Sequence, residues 1–189
     1  HQIQTENRFA TAEEQEALSK YVGWGGLSKA FGRLINASDR NNRNGYSPDA
    51  GWEKELDELW SLVDDGVITT AELRSMANSS TNAHYTSIEV VKAMWDGLRY
   101  LGFKGGRLME PSCGTGNFVG GMPAEMLPGV RSWTMVELDR VTGGIAKLLY
   151  PHADVKIQGF QDAKIPDNML DVVIGNVPFG KSDFVDKRY

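Results

Sequence analysis

An α/β chain is predicted: a small all-helical segment over residues 1–81, followed over residues 82–189 by the first half of an open parallel sheet. Two observations predict it. From residue 88 onward, helix-like and strand-like patterns alternate. At residues 108–118, LMEPSCGTGNF, an apolar strand end runs into an acid, Glu110, then into a turn holding Gly114 and Gly116, with a second apolar run beyond. Alternation of this kind implies parallel strands joined by crossover helices. A glycine turn at a strand's carboxyl end is where such sheets let backbone approach a ligand closely.

Each element has its own signal. Thr11 and Glu14 have capping-box spacing, so a helix is expected there, with Ala17, Leu18, Tyr21 and Val22 as its apolar stripe. The glycines of residues 23–26, GWGG, end it, and Trp24 between them is a rigid anchor suited to plugging a seam between small units. A short apolar segment over residues 27–35 follows. Residues 36–51, NASDRNNRNGYSPDAG, are turn-formers and predict an exposed loop. Trp52, Leu56, Leu59, Trp60 and Val63 then share one helix face, and residues 64–66, DDG, stop that helix. A second capping box joins Thr69 to Glu72, with Leu73 and Met76 behind it, and a third joins Thr86 to Glu89. The third opens a helix whose inner face is Ile88, Val91, Met94 or Trp95, Leu98 and Leu101.

Strands are expected at residues 107–110, 133–138, 154–158 and 170–174. The last, LDVVI, is nearly all apolar and reads as buried on both faces. Between the second and third lies a helix over residues 139–150, capped by Asp139 and weakened by Gly143 and Gly144.

Composition limits the function classes. At 189 residues the chain buries one full core, or one core plus a small accessory unit. No apolar run is long enough to span a bilayer and the polar start lacks a signal-peptide centre, so no membrane partner and a cytoplasmic location are expected. Cys113 is the only cysteine, which rules out an internal disulfide and fits plain packing. His1, His84 and His152 are scattered, so no metal site is expected. The net charge of −5 and the small basic clusters, Arg40 with Arg43 and Lys187 with Arg188, imply only a weak grip on nucleic-acid phosphates.

The glycine turn narrows the ligand. Gly114, Gly116 and Gly120 depart from the dinucleotide fingerprint, and no Gly-Lys-Ser/Thr follows for a P-loop. A carboxylate at Glu110 would repel a pyrophosphate and attract a cationic group. S-adenosylmethionine, a zwitterionic adenosine ligand without phosphate, meets both conditions. Glu137 lies 21 positions beyond Gly116 at a strand tip, where it is placed to accept ribose hydroxyls, and Leu138 can cover one face of the adenine. After the fourth strand stand Asn176, Val177, Pro178 and Phe179. The Asn176 side-chain oxygen and the Val177 carbonyl can accept from an exocyclic amine, with Pro178 fixing the turn and Phe179 stacking on a base. Taken alone, that turn reads better as a loop without chemistry.

The ordered motifs resemble the DNA adenine amino-methyltransferases: Tyr85-Thr86-Ser87 as a helix start, the loop from Glu110 through Pro111, Ser112, Cys113, Gly114, Gly116 and Asn117 to Phe118, the acid Glu137, and the Asn176–Phe179 turn. Together with YVGWGGL, NAHYTS, VELD, AKLLYP and GNVPFG, they look like the methylase region of the large methylase-helicase proteins of phages and conjugative elements, over nearly the whole chain. The resemblance implies a Rossmann-like class I methyltransferase sheet, here only its N-terminal half and incomplete at the C-terminus. It implies cofactor contacts by Tyr85, Thr86, Glu110 and the glycine loop, and ribose contact by Glu137. It further implies methyl transfer to adenine in DNA, with Asn176, Val177, Pro178 and Phe179 as the catalytic group, and a helicase region in the same polypeptide. Phe160 and Asp162 stand near where relatives carry an Asp-Phe pair that reads the cofactor adenine, but the acid is displaced. Val177 replaces the family's first proline. Two alternatives stay open: a protein glutamine-amide methyltransferase, and a non-catalytic binding module of a helicase-containing protein.

Overall fold

The computed structural model describes residues 2–34, 46–80 and 85–178. The expectations for the loop around Arg40 and Arg43, for His84, for Phe179 and for Lys187 and Arg188 lie outside these residues, as does the 81/82 boundary.

The N-terminal segment begins with α1 (Gln2–Thr5) and α2 (Ala12–Ser19). Thr11 caps α2 as its sequence implies, its hydroxyl accepting the Glu14 N–H while the Glu14 carboxylate accepts the Thr11 N–H at 2.8 Å. The expected apolar stripe does not form. The helix ends at Ser19, so Val22 is 77% exposed and α2 buries no side chain. A short 3₁₀ turn over Gly25–Leu27 leads to α3 (Ser28–Phe31). Then β1 (Arg33–Leu34) pairs antiparallel with β2 (Tyr46–Ser47), which corrects the all-helical expectation for this segment. Helices α4 (Glu53–Asp64) and α5 (Thr70–Ser80) complete it, the second capped by Thr69 and Glu72 through bonds of 2.8 and 3.2 Å. Their apolar faces meet in a small core of Phe31, Leu56, Leu59, Ile68, Leu73 and Met76, with Trp24 and Trp60 at its margin.

The second part opens with α6 (Ile88–Tyr100). Ser87 rather than Thr86 occupies its N-cap position, without a side-chain cap bond, and the Thr86 carbonyl accepts the Asn117 side-chain amide at 3.2 Å. Only Val91 and Trp95 of α6 are fully buried, Trp95 and not Met94 taking the shared inner position; Ile88 and Leu101, expected inside, are exposed. There follow β3 (Gly106–Pro111), the single turn α7 (Asn117–Gly120), β4 (Val130–Glu137), α8 (Arg140–Leu149), β5 (Asp154–Ile157) and β6 (Val172–Val173). The four strands are all parallel, in the spatial order β5-β4-β3-β6. In chain order this is 3-2-1-4, so the direction of winding reverses between β3 and β6.

Strand register fixes what each face carries. Leu108 lies opposite Trp133, Glu110 opposite Met135, and Met135 opposite Val155. Side chains alternate across a strand, so these share one face. That face is covered by α6, α7 and α8, with Trp95 standing edge-on to Trp133 at 6.0 Å. The other face places Met109 and Val136 under Ala163, Ile165 and Leu170. The fourth strand is not buried on both faces. β6 pairs only with β3 among the described residues, and Val173 is 57% exposed. It is pinned at its start by Asp171, whose carboxylate accepts the Arg107 N–H at 2.7 Å.

The glycines of α8 do not break it. Asp139 caps it, accepting the Thr142 N–H at 2.7 Å. A Cβ at Gly143 would come within 3.0 Å of Ile157, so the missing side chain lets the helix lie close on the sheet.

Candidate functional site

At the carboxyl ends of the strands, three segments converge: the turn after β3, the acid ending β4, and the turn after β6. In open α/β sheets ligands bind in the crevice where the winding reverses, here between β3 and β6. The structure brings Glu110, Gly114, Gly116, Glu137 and the start of the Asn176 turn to this place.

Sequence dictates the loop's path. After Pro111 the backbone turns left-handed at Ser112 (φ 57°), Gly114 (φ 56°) and Gly116 (φ 85°). Such values are easy for glycine and costly for most other residues. The Cys113 N–H donates to the Val136 carbonyl at 2.8 Å, and the Gly114 N–H donates to Glu137 Oε2 at 2.8 Å. The Tyr150 hydroxyl donates to the Gly116 carbonyl at 3.0 Å, and its ring fills the space that a side chain at Gly116 would need. The sequence places Tyr150 at the end of the helix and within the AKLLYP motif, but gives it no part in this loop.

Glu110 sits at the centre. It is only 2% exposed, and the backbone N–H groups of Phe118 and Val119 face its carboxylate. Oε2 is buried with no partner. Burial pushes the pKa of Glu110 well above the usual carboxylate range, against the lowering effect of those two N–H groups. Gly175, ahead of Asn176, lies against it: a Cβ there would be 3.5 Å from Glu110 Cγ.

Glu137 is half-buried and already bonded, its two oxygens accepting the Gly114 and Asp139 N–H groups at 2.8 Å each. Burial raises its pKa, and those N–H groups oppose the rise. Each carboxylate oxygen retains accepting capacity. Beyond it, Leu138 is 70% exposed and Phe160, after β5, is 53% exposed, two large apolar side chains facing solvent beside the crevice. The Asp162 carboxylate is exposed and accepts from Gln161 Nε2 at 3.1 Å.

Other predicted residues are placed differently. Phe118 is core, 2% exposed, its carbonyl accepting the Trp95 indole N–H at 2.9 Å. Cys113 is buried against Met135, Ala146 and Val155, and burial pushes its thiol pKa up. Tyr85 is half-buried between the glycine loop and the N-terminal segment. Asn176, Val177 and Pro178 are exposed after β6. Among the described residues no group of three or more His, Cys, Asp or Glu side chains is arranged to hold a metal ion, and no helix is long and apolar enough to cross a membrane.

No family model matches the chain, and no solved structure matches it. One curated relative decides against the sequence-based reading. Over 150 residues, 72% of its length, the chain is 32% identical to defense against restriction protein B of Escherichia phage P1. The chain spans 6% of that protein's length. The relative is named for defence against restriction and not for methyl transfer. This overturns the expectation of a DNA adenine methyltransferase, and with it the expectations of an enzyme and of DNA methylation. The catalytic role given to Asn176, Val177, Pro178 and Phe179 loses its footing with the reaction. The physical reason is that a glycine turn and acids at strand ends define which groups can bind, while the fold leaves the reaction open.

Proposed function

We propose that this chain is a non-catalytic ligand-binding module within a much longer anti-restriction polypeptide, and that its ligand is S-adenosylmethionine. The observation that carries the ligand is Glu110 Oε2, a buried acceptor without a partner beside a glycine loop. A buried unpaired carboxylate costs stability, and a cationic group placed against it removes that cost.

The residues present fit this ligand in four further respects. Gly114 and Gly116 offer backbone free of side chains next to Glu110. Glu137 keeps acceptor capacity for ribose hydroxyls. Leu138 and Phe160 present apolar surface for a flat base. Three acids, Glu110, Glu137 and Asp139, make the crevice hostile to phosphate. The Rossmann-like strand order supports a nucleoside site at the reversal between β3 and β6. The relative's name supports a role in defence against restriction. In this reading DNA contact and a helicase region belong to the remainder of the longer polypeptide.

Calorimetry with S-adenosylmethionine, together with transfer of labelled methyl to DNA, tests the proposal. Binding without transfer is the expected result. Absence of binding would overturn the ligand, and transfer to DNA would overturn the non-catalytic reading.

A further inference from the structure

The GWGG turn of residues 23–26 has no part in the ligand reading, yet it reaches the ligand loop through one side chain. The Tyr85 ring is wedged edge-on between two glycines. A methyl group built at Gly23 would overlap the ring at Cε2, and one at Gly114 would lie 3.1 Å from the opposite edge, at Cε1. Both glycines are left-handed, with φ 80° and 56°. The turn is itself anchored. The Tyr21 hydroxyl lies 3.1 Å from the Thr142 hydroxyl in the first turn of α8, and Trp24 packs edge-on against Tyr21 at 5.2 Å. More of the same segment grips α8: the Ser75 hydroxyl accepts the Arg140 N–H at 3.3 Å, and the Gln15 amide donates to the Leu148 carbonyl at 3.3 Å.

We infer that Gly23 and Tyr85 are positioning residues: the N-terminal segment holds the ligand loop in its binding shape by pressing Tyr85 against Gly114. The geometry is one of exclusion. The space between the two glycine backbones is the width of one aromatic ring, and any side chain at residue 23 drives that ring into the turn that carries the Gly114 N–H to Glu137. The loop's other face is backed by Tyr150, so it has no room to yield without leaving its hydrogen bonds. This deepens the ligand reading above and rests on it for the identity of the ligand, though not for the geometry.

The control is present in the same segment. Gly66 has φ 69°, but a Cβ there meets nothing within 4 Å. Gly66→Ala therefore imposes the same kind of backbone strain as Gly23→Ala without pushing on a ring. The experiment compares amide hydrogen exchange of residues 112–118 in the unliganded wild type, Gly23→Ala and Gly66→Ala, then their affinities for S-adenosylmethionine. Gly23→Ala is expected to raise exchange in this loop about ten-fold and to weaken binding about ten-fold, with Gly66→Ala matching the wild type in both. Wild-type exchange in Gly23→Ala, or an equal rise in Gly66→Ala, would overturn the inference. If Gly23→Ala does not fold, Tyr85→Ala replaces it and is expected to raise exchange in the same residues. Failure of the wild type to bind the ligand would sink the proposed function, while the exchange comparison would still decide this one.

Discussion

Replacing Glu110 by glutamine separates stability from ligand binding. The Glu110 carboxyl is 2% exposed, with one oxygen unpartnered, so its ionised form is costly there. Glutamine keeps an acceptor toward the Phe118 and Val119 N–H groups and removes the charge. Leaving a buried polar group unsatisfied costs ~1–3 kcal/mol, and more when it is charged, so Glu110→Gln should stabilise the unliganded protein by about 1–2 kcal/mol. For a chain of this size that corresponds to a rise in Tm of roughly 2–8 °C. The pH dependence has a definite sign. Because the folded-state pKa is raised, the stability of wild type is fully present below the ordinary glutamate pKa and falls as pH rises through the folded value. The advantage of glutamine should therefore be larger at pH 8 than at pH 5. Thermal melts of both proteins at the two pH values, with and without S-adenosylmethionine, provide the assay. The ligand should raise the Tm of wild type by mass action and leave Glu110→Gln unmoved. A variant less stable than wild type at pH 8 would refute the reasoning.

Trp95→Phe removes the indole donor to the Phe118 carbonyl and opens a void against Trp133. Denaturant unfolding should show a loss of about 3 kcal/mol; a loss below ~1 kcal/mol would mean that this bond and its packing do not hold α7 on α6. Tyr150→Phe removes the donor to the Gly116 carbonyl while keeping the ring. Burial lifts that hydroxyl's pKa to about 12, so in wild type it stays a donor at any working pH. Calorimetry should find ligand affinity lowered by several-fold for a loss of about 1 kcal/mol, with overall stability little changed.

The parallel sheet was legible because its signals are local. Apolar runs ending at Glu110 and Glu137, and a capping aspartate at residue 139, need no knowledge of distant residues. The fourth strand was misjudged because an apolar run does not reveal how many neighbours it will have; β6 lies at an edge of the described sheet. The stripe on α2 failed because the helix ends at Ser19, before Tyr21 and Val22 can join its period. At α6 the helix starts one residue later than its capping-box spacing implies, with Ser87 at the N-cap position. The partners of the ligand loop were least legible. Gly23, Thr142 and Tyr150 reach it only through tertiary contacts, and no spacing rule links residue 23 to residue 114. The reaction was misread for a related reason: motifs in order describe a binding crevice, and the step to methyl transfer rested on the resemblance and on an Asn176 turn that by itself reads better as a loop without chemistry.

Titration calorimetry of the wild-type chain with S-adenosylmethionine tests the central claim most directly, since Glu110 and the glycine loop exist in this account to hold that ligand. One-to-one binding on the order of micromolar is predicted for wild type, abolished in Glu110→Gln. No binding by wild type, or equal binding by the two, would contradict it.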